Sequence, residues 1–267
     1  MSFIPILKTS GFFRIKENYQ SKKAIVFLTV DPDVRLFDFA KKLASDMYHV
    51  YISINSATYS PPVISNPFIF ILQINDDEAE QKGYRDCCLW VPNKASARCK
   101  ALYYFGEKNT ISYDSIWILE DDVYIPSVNT LTNLDLIYSS EIDLLCTEYS
   151  IVNTEQQHWH WQRNKNLISL PWAGGGIMGI RISSNMIDSI RHFLKTHDRL
   201  LMDELMFHTL AVHDNLKITI APELKHLVFR HDWKKEDITE NLLFHPIKSY
   251  QEQLDFSLHH GFEHYNE

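Results

Sequence analysis

Short apolar runs rich in β-branched residues alternate along this chain with stretches whose apolar positions recur every three to four residues. Residues 24–30 (AIVFLTV) predict a buried strand. In residues 35–47, Leu36, Phe37, Phe39, Ala40, Leu43 and Ala44 share one helical face. Residues 50–54 and 68–74 predict two further strands, and residues 94–105 a helix with Ala97, Ala101, Leu102 and Phe105 on one side. Residues 115–119 (SIWIL) predict another buried strand, which runs straight into Glu120-Asp121-Asp122. A helix over 131–138 and a strand over 143–148 follow.

The second half is more mixed. Gly174-Gly175-Gly176 leads into a strand over 177–182, then helices over 185–194 and 202–212, and short strands over 217–221 and 226–229. Residues 154–170 read as a loop or lid, and the polar tail from Lys234 onward as loop. Strand–helix alternation with nearly continuous apolar strands predicts an α/β fold: a mostly parallel central sheet flanked by helices on both faces. In such sheets ligands bind beyond the carboxyl ends of the strands, where the 120–122 acids lie.

The chain has 267 residues, 45% hydrophobic and 22% charged, enough apolar material for one large domain over 1–267. Its formal net charge of −8 argues against a general nucleic-acid binder. No apolar run approaches the ~18 residues that span a bilayer. The N-terminal MSFIPILKTSGFFRIK lacks a leading basic region followed by a long apolar core, so a soluble, cytoplasmic catalytic unit is expected. The four cysteines, Cys87, Cys88, Cys99 and Cys146, show no zinc-ligand spacing and no disulfide framework, and are expected to be reduced, partly buried thiols. There is no G-x-x-x-x-G-K-S/T and no G-x-G-x-x-G, which removes the main support for ATPase and dinucleotide oxidoreductase readings.

Three consecutive carboxylates at the end of a buried strand repel one another, and a divalent cation such as Mn2+ or Mg2+ relieves that repulsion through oxygen ligands. The same cation can hold a diphosphate. A solvated acidic turn is the plainer alternative.

The segment WILEDDVYIP, residues 117–126, resembles the Asp-x-Asp-type motif of GT-A glycosyltransferases, in the Asp-Asp-Val-aromatic spelling of the Fringe-like β-1,3-glycosyltransferases. Further islands occur in the order of that group, between residues 24 and 248. LPWAGGGIMGIRIS, residues 170–183, is similar to the Gly-Gly segment that lines the acceptor side. Asp203-Glu204 resembles the paired acids that contain the catalytic base, and Phe244-His245 a late histidine completing the metal shell. Residues 94–102 (KASARCKAL) are similar to a helix start placed beside the nucleotide.

The resemblance implies a single GT-A-like (Rossmann-like) domain, with residues 22–125 as nucleotide-sugar half and 126–250 as acceptor half. It implies metal-dependent transfer from a nucleoside-diphosphate sugar, such as a UDP-sugar, to a glycan or glycoconjugate hydroxyl. Glu120, Asp121, Asp122 and His245 are the implied metal ligands, with His231 the alternative histidine. Glu204 is the implied base in an inverting reaction, with Asp203 beside it. The family usually has Asp where Glu204 stands, which leaves a retaining reaction open. Trp172, Gly174, Gly175 and Gly176 are the implied acceptor residues. Thr29, Asp31 and Arg35, at the end of the first strand, are candidates for the nucleotide, with Asp121, Lys94 and Arg98.

Ordinary roles compete with each assignment: a turn for Asp31-Pro32-Asp33, surface charge for Lys94 and Arg98, a helix cap for Asp203, a first-turn charge for Glu204, a loop histidine for His245. Trp159 and Trp161 either stack on a sugar or pack in a lid or core, and His158, His160, His259 and His260 are expected at the surface. A metal-dependent nucleotidyltransferase and a non-catalytic sugar- or nucleotide-binding module are the rival functions.

Overall fold

The computed structural model describes residues 22–88, 92–155 and 159–260, without the side chains of 159, 160 and 250. Its centre is a seven-stranded sheet in the order β3-β2-β1-β4-β8-β5-β9. The strands are β1 (Lys23–Thr29), β2 (Tyr48–Ile54), β3 (Ile69–Leu72), β4 (Ser115–Glu120), β5 (Leu144–Cys146), β8 (Gly179–Ile182) and β9 (Ile218–Ile220). β3, β2, β1 and β4 run parallel, β8 is antiparallel to both β4 and β5, and β9 is parallel to β5. A separate antiparallel pair joins β6 (Tyr149–Val152) to β7 (Trp172–Gly175).

The continuous apolar runs exist because both faces are covered. Ala24, Val26, Leu28, Ile116 and Ile118 point to one face, where they meet α3 (Ala97–Tyr103), α6 (Ser184–Leu194) and α7 (Asp203–His213). Ile25, Phe27, Trp117 and Leu119 point to the other, against α1 (Val34–Leu43) and α4 (Val128–Ile137). Burying alternate residues on opposite faces is what a two-sided sheet requires.

Several elements depart from the pattern reading. α1 stops at Leu43, short of the expected 47, and β2 starts at Tyr48, two residues before the expected 50. α3 begins at Ala97 because the Ser96 side chain caps it, and a π-helical turn, Tyr104–Lys108, continues it. α2 (Asp76–Gln81) has one buried residue, Ala79, so no apolar stripe marked it. The expected loop 154–170 contains α5 (Trp159–Asn164), and the expected loop-rich tail contains α8 (Tyr250–His260). Residues 226–229 form no strand; Leu227 makes a single bridge to His245. Among the described residues no helix is long and apolar enough to cross a membrane.

Candidate functional site

The acids at the end of β4 are presented by the sheet and framed by a distant segment. Tyr124 N donates to Phe244 O at 2.8 Å, Phe244 N returns a bond to Tyr124 O at 3.2 Å, and Ile247 N donates to Asp122 O at 2.9 Å. This pairing sets His245 opposite the β4 end. His245 Nδ1 lies 2.6 Å from the Val228 carbonyl oxygen, which can only accept, so Nδ1 carries the hydrogen. Nε2 therefore faces the acids, 3.0 Å from Asp122 Oδ1 and 3.4 Å from Glu120 Oε2. One ligand atom from each of Glu120, Asp122 and His245 lies within 4.8 Å of the others.

The electrostatics follow from this crowding. Burial works against a charged His245, but bonds to Asp122 and Glu120 outweigh it and raise its pKa to about 9. Burial likewise opposes a charged Glu120, and His245 and Arg98 overcome it, leaving that carboxyl below its ordinary value. Asp121 is different. Its carboxyl lies outside the trio and lines a neighbouring cavity. Desolvation, then the charges of Asp122 and Glu120, push it above the usual aspartate range. Side chains of successive residues at a strand end diverge, so three adjacent acids do not share one ligand point.

The trio opens into a cavity of about 1200 Å³ whose wall also carries Asp203, Glu204, Met178, Phe229 and Trp233. Asp203 is the first residue of α7; Met202 is the N-cap and makes no side-chain cap bond. Asp203 is buried, receives the Arg98 guanidinium, and its Oδ1 accepts from Glu204 N at 3.0 Å. Burial raises its carboxyl against the pull of Arg98. Glu204 faces the cavity, and burial, then the Asp203 charge, raise it above the ordinary glutamate value. A raised pKa makes it a stronger proton acceptor than a free carboxylate.

Two smaller cavities share residues with the large one. Asp31, Arg35 and Asp121 line a space of about 310 Å³ that meets the large cavity at Asp122 and Lys248. Gly175 and Gly176 line a space of about 380 Å³ that meets it at Ile177, Met178, Glu204 and Phe229. Each smaller space therefore shares wall residues with the one that holds the trio and Glu204.

Four expected positions fall elsewhere. Arg98 is 4% exposed and does not open onto a phosphate-sized space. It donates to Asp203, to Glu120 Oε1 at 2.9 Å and to the Ile177 carbonyl at 3.1 Å, so two protein carboxylates take up its charge. Lys94 is an exposed lysine 3.8 Å from Glu80 and lines none of the three spaces. Thr29 is buried beside Asp121 rather than open to the smaller cavity. Trp172 is 3% exposed, stacks on Trp161 with ring centroids 5.8 Å apart, and donates Nε1–H to Ile168 O at 3.0 Å, which makes it core.

Gly174 also has a packing role, since a Cβ there would lie 2.8 Å from Leu205 Cδ2 and 3.2 Å from Glu204 O. At Gly175 a Cβ would strike the Glu148 carbonyl oxygen. His231 lines the large cavity but is not part of the trio. His158 and the side chains of Trp159 and His160 lie outside the described residues.

Lys248, Phe229 and Trp233 were not anticipated. A single lysine in a polar tail and aromatics in a loop carry no spacing signal, and the tertiary fold alone brings them to the cavity. The chain matches no protein-family model, and no curated protein matches it at a significant level.

Proposed function

We propose that this chain is a metal-dependent glycosyltransferase of the GT-A type that moves a sugar from a nucleoside-diphosphate sugar, such as a UDP-sugar, to a hydroxyl of a glycan or glycoconjugate. The observation that carries the reading is the convergence of Glu120, Asp122 and His245 on one point of a cavity that Glu204 also lines. The mostly parallel sheet is compatible with the Rossmann-like core this requires.

The donor set suits a divalent cation: two carboxylate oxygens and the His245 Nε2, which the Val228 bond turns inward and which would bind a cation by giving up its proton. Mn2+ accepts this mixed set and Mg2+ accepts its oxygens. Such an ion, when bound, offsets the negative charge that grows on a leaving nucleoside diphosphate.

The chain's own groups divide the remaining work. The space beside Asp31, Arg35 and Asp121 suits the nucleoside, and Lys248, on the boundary with the main cavity, meets the phosphates with positive charge. Glu204, on the boundary with the Gly175–Gly176 space, takes the proton from an acceptor hydroxyl entering from that side. Asp203 is a poor candidate for the same task because Arg98 holds its carboxylate in a buried ion pair. The Phe229 ring, 62% exposed at the same boundary, offers an apolar face to the C–H side of a sugar.

The test is a thermal-shift screen of nucleoside diphosphates and sugar nucleotides, with and without Mn2+, followed by analysis of the products. A ligand that binds the folded state raises its melting temperature by linkage. Stabilisation by a nucleoside diphosphate that requires Mn2+, and release of that diphosphate with a new glycosidic bond, is the expected outcome. No Mn2+-dependent stabilisation by any donor, or release of pyrophosphate instead, overturns it. Inversion at the anomeric carbon is expected from Glu204 as base, and retention removes that role.

A further inference from the structure

Cys87 and Cys99 come from different segments and meet in the core. Cys87 lies in the 84–88 segment after α2, and Cys99 in the first turn of α3. Both are 0% exposed, and their sulfurs are 2.7 Å apart. That is a sub-ångström approach from the ~2.05 Å of a covalent S–S bond. The other side-chain partner the two sulfurs have in common is the Ser96 hydroxyl, 3.4 Å from each.

Hydrogen bonds from Cys87 and Ser96 outweigh burial at Cys99 and pull its thiol below the usual range, whereas its bond to Cys99 and burial push Cys87 up.

The surroundings connect the pair to the cavity. Asp203 N donates to Cys87 O at 2.9 Å, and Cys88 lines the large cavity. Arg98, the chain neighbour of Cys99, holds Asp203 and Glu120. A covalent link between Cys87 and Cys99 would brace both ends of the Arg98–Asp203 pair.

We propose that Cys87 and Cys99 are a cystine-forming pair, oxidised by a small-molecule disulfide such as oxidised glutathione to an intramolecular cross-link behind the cavity wall. One of the two cysteine thiolates attacks a glutathione sulfur and releases a glutathione thiolate. The thiolate of the other then attacks the protein sulfur of that mixed disulfide and releases the second. Two protein S–H bonds and one glutathione S–S bond break, one protein S–S bond forms, and the two glutathione thiols carry away the two protons and the electron pair. Because both sulfurs are buried in the folded chain, exchange proceeds as the chain folds, and the finished bond is shielded from reductants.

The experiment refolds the full-length Cys88→Ser chain in a glutathione redox buffer, traps free thiols with an alkylating agent under denaturing conditions, and maps the unreduced digest by mass spectrometry. Serine at 88 makes the assignment unambiguous, because Cys87 and Cys88 share a tryptic peptide. The expected result is a peptide joining Cys87 to Cys99, with Cys146 alkylated. Closing so short a loop should raise the melting temperature by roughly 5 °C, reversed by reductant under denaturing conditions and absent in Cys88→Ser/Cys99→Ala. Alkylation of all three remaining cysteines after oxidative refolding, or a cross-link that uses Cys146, overturns the proposal. The thiol map of the Cys88→Ser chain decides this even if the double variant fails to fold.

Discussion

Replacing Arg98 with Met should cost the protein about 3–5 kcal/mol of stability, the scale of removing one partner from a buried ion pair. Arg98 faces two carboxylates of unequal exposure. The Glu120 side chain is 32% exposed and keeps water on one side, whereas that of Asp203 is 10% exposed. Most of the loss therefore belongs to Asp203, and the low end of the range is expected.

The sign of the pH dependence follows. Burial already raises Asp203 while Arg98 opposes it. Without the arginine, the folded-state pKa climbs further above the unfolded value. Folded protein then binds a proton that unfolded protein does not, so the variant gains stability as pH falls through that folded-state pKa, by at most ~1.4 kcal/mol per pH unit. Urea unfolding followed by tryptophan fluorescence at pH 8 and pH 5 should show the gap from wild type narrowing on acidification. Adding Asp203→Asn should recover a large part of the deficit, because the uncompensated charge is then gone. A loss below about 1 kcal/mol, a gap unchanged between the two pH values, or a double variant less stable than Arg98→Met would refute the assignment of Arg98 as the counter-charge of a buried acid.

Asp122→Asn should weaken Mn2+ binding, measured by electron paramagnetic resonance of the free ion, by more than the ~10–100-fold typical of an outer-shell partner, and unchanged affinity would remove Asp122 from the ion site. Glu204→Gln should retain donor-induced stabilisation in the thermal-shift screen yet lose turnover by ~10²-fold or more; full turnover would exclude it as the base. His208 is fully buried, and burial pushes it down to a pKa of about 4 against a weaker opposing pull from the Glu204 backbone. Its contribution is present above the unfolded value of ~6.5 and is lost as pH falls from there to the folded value, roughly 3 kcal/mol in all; a wild-type stability curve over that window no steeper than that of His208→Leu would contradict it.

The strand runs of β1, β2 and β4 and the helical face of α1 were legible because each is set by local periodicity. An apolar run covered on both faces looks the same wherever it sits in the sheet. The weakly amphipathic α2, the glycine-bearing β7 and the polar α8 were not legible, since neighbours rather than their own pattern hold them. The reversed β8 was equally hidden. Its residues, GIRI, fit a parallel or antiparallel strand, and only its pairing with β4 and β5 fixes the direction.

Within the candidate site the division is similar. The sequence determined that acids follow a buried strand at Glu120, Asp121 and Asp122, that glycines cluster at 174–176, and that Asp203 and Glu204 stand at a helix start. Those are consequences of neighbouring residues along the chain. Which acids share a point with a histidine was decided by the pairing of Tyr124 with Phe244, which carries His245 across more than a hundred residues. The fate of Arg98 was decided in the same way. A charged residue in a helix reads as surface until another element brings it a partner, and Arg98 meets Glu120 at the end of β4 and Asp203 at the start of α7 only in the folded chain. Local pattern encodes what a residue prefers; long-range contact, which no short window of sequence contains, decides which partners satisfy it.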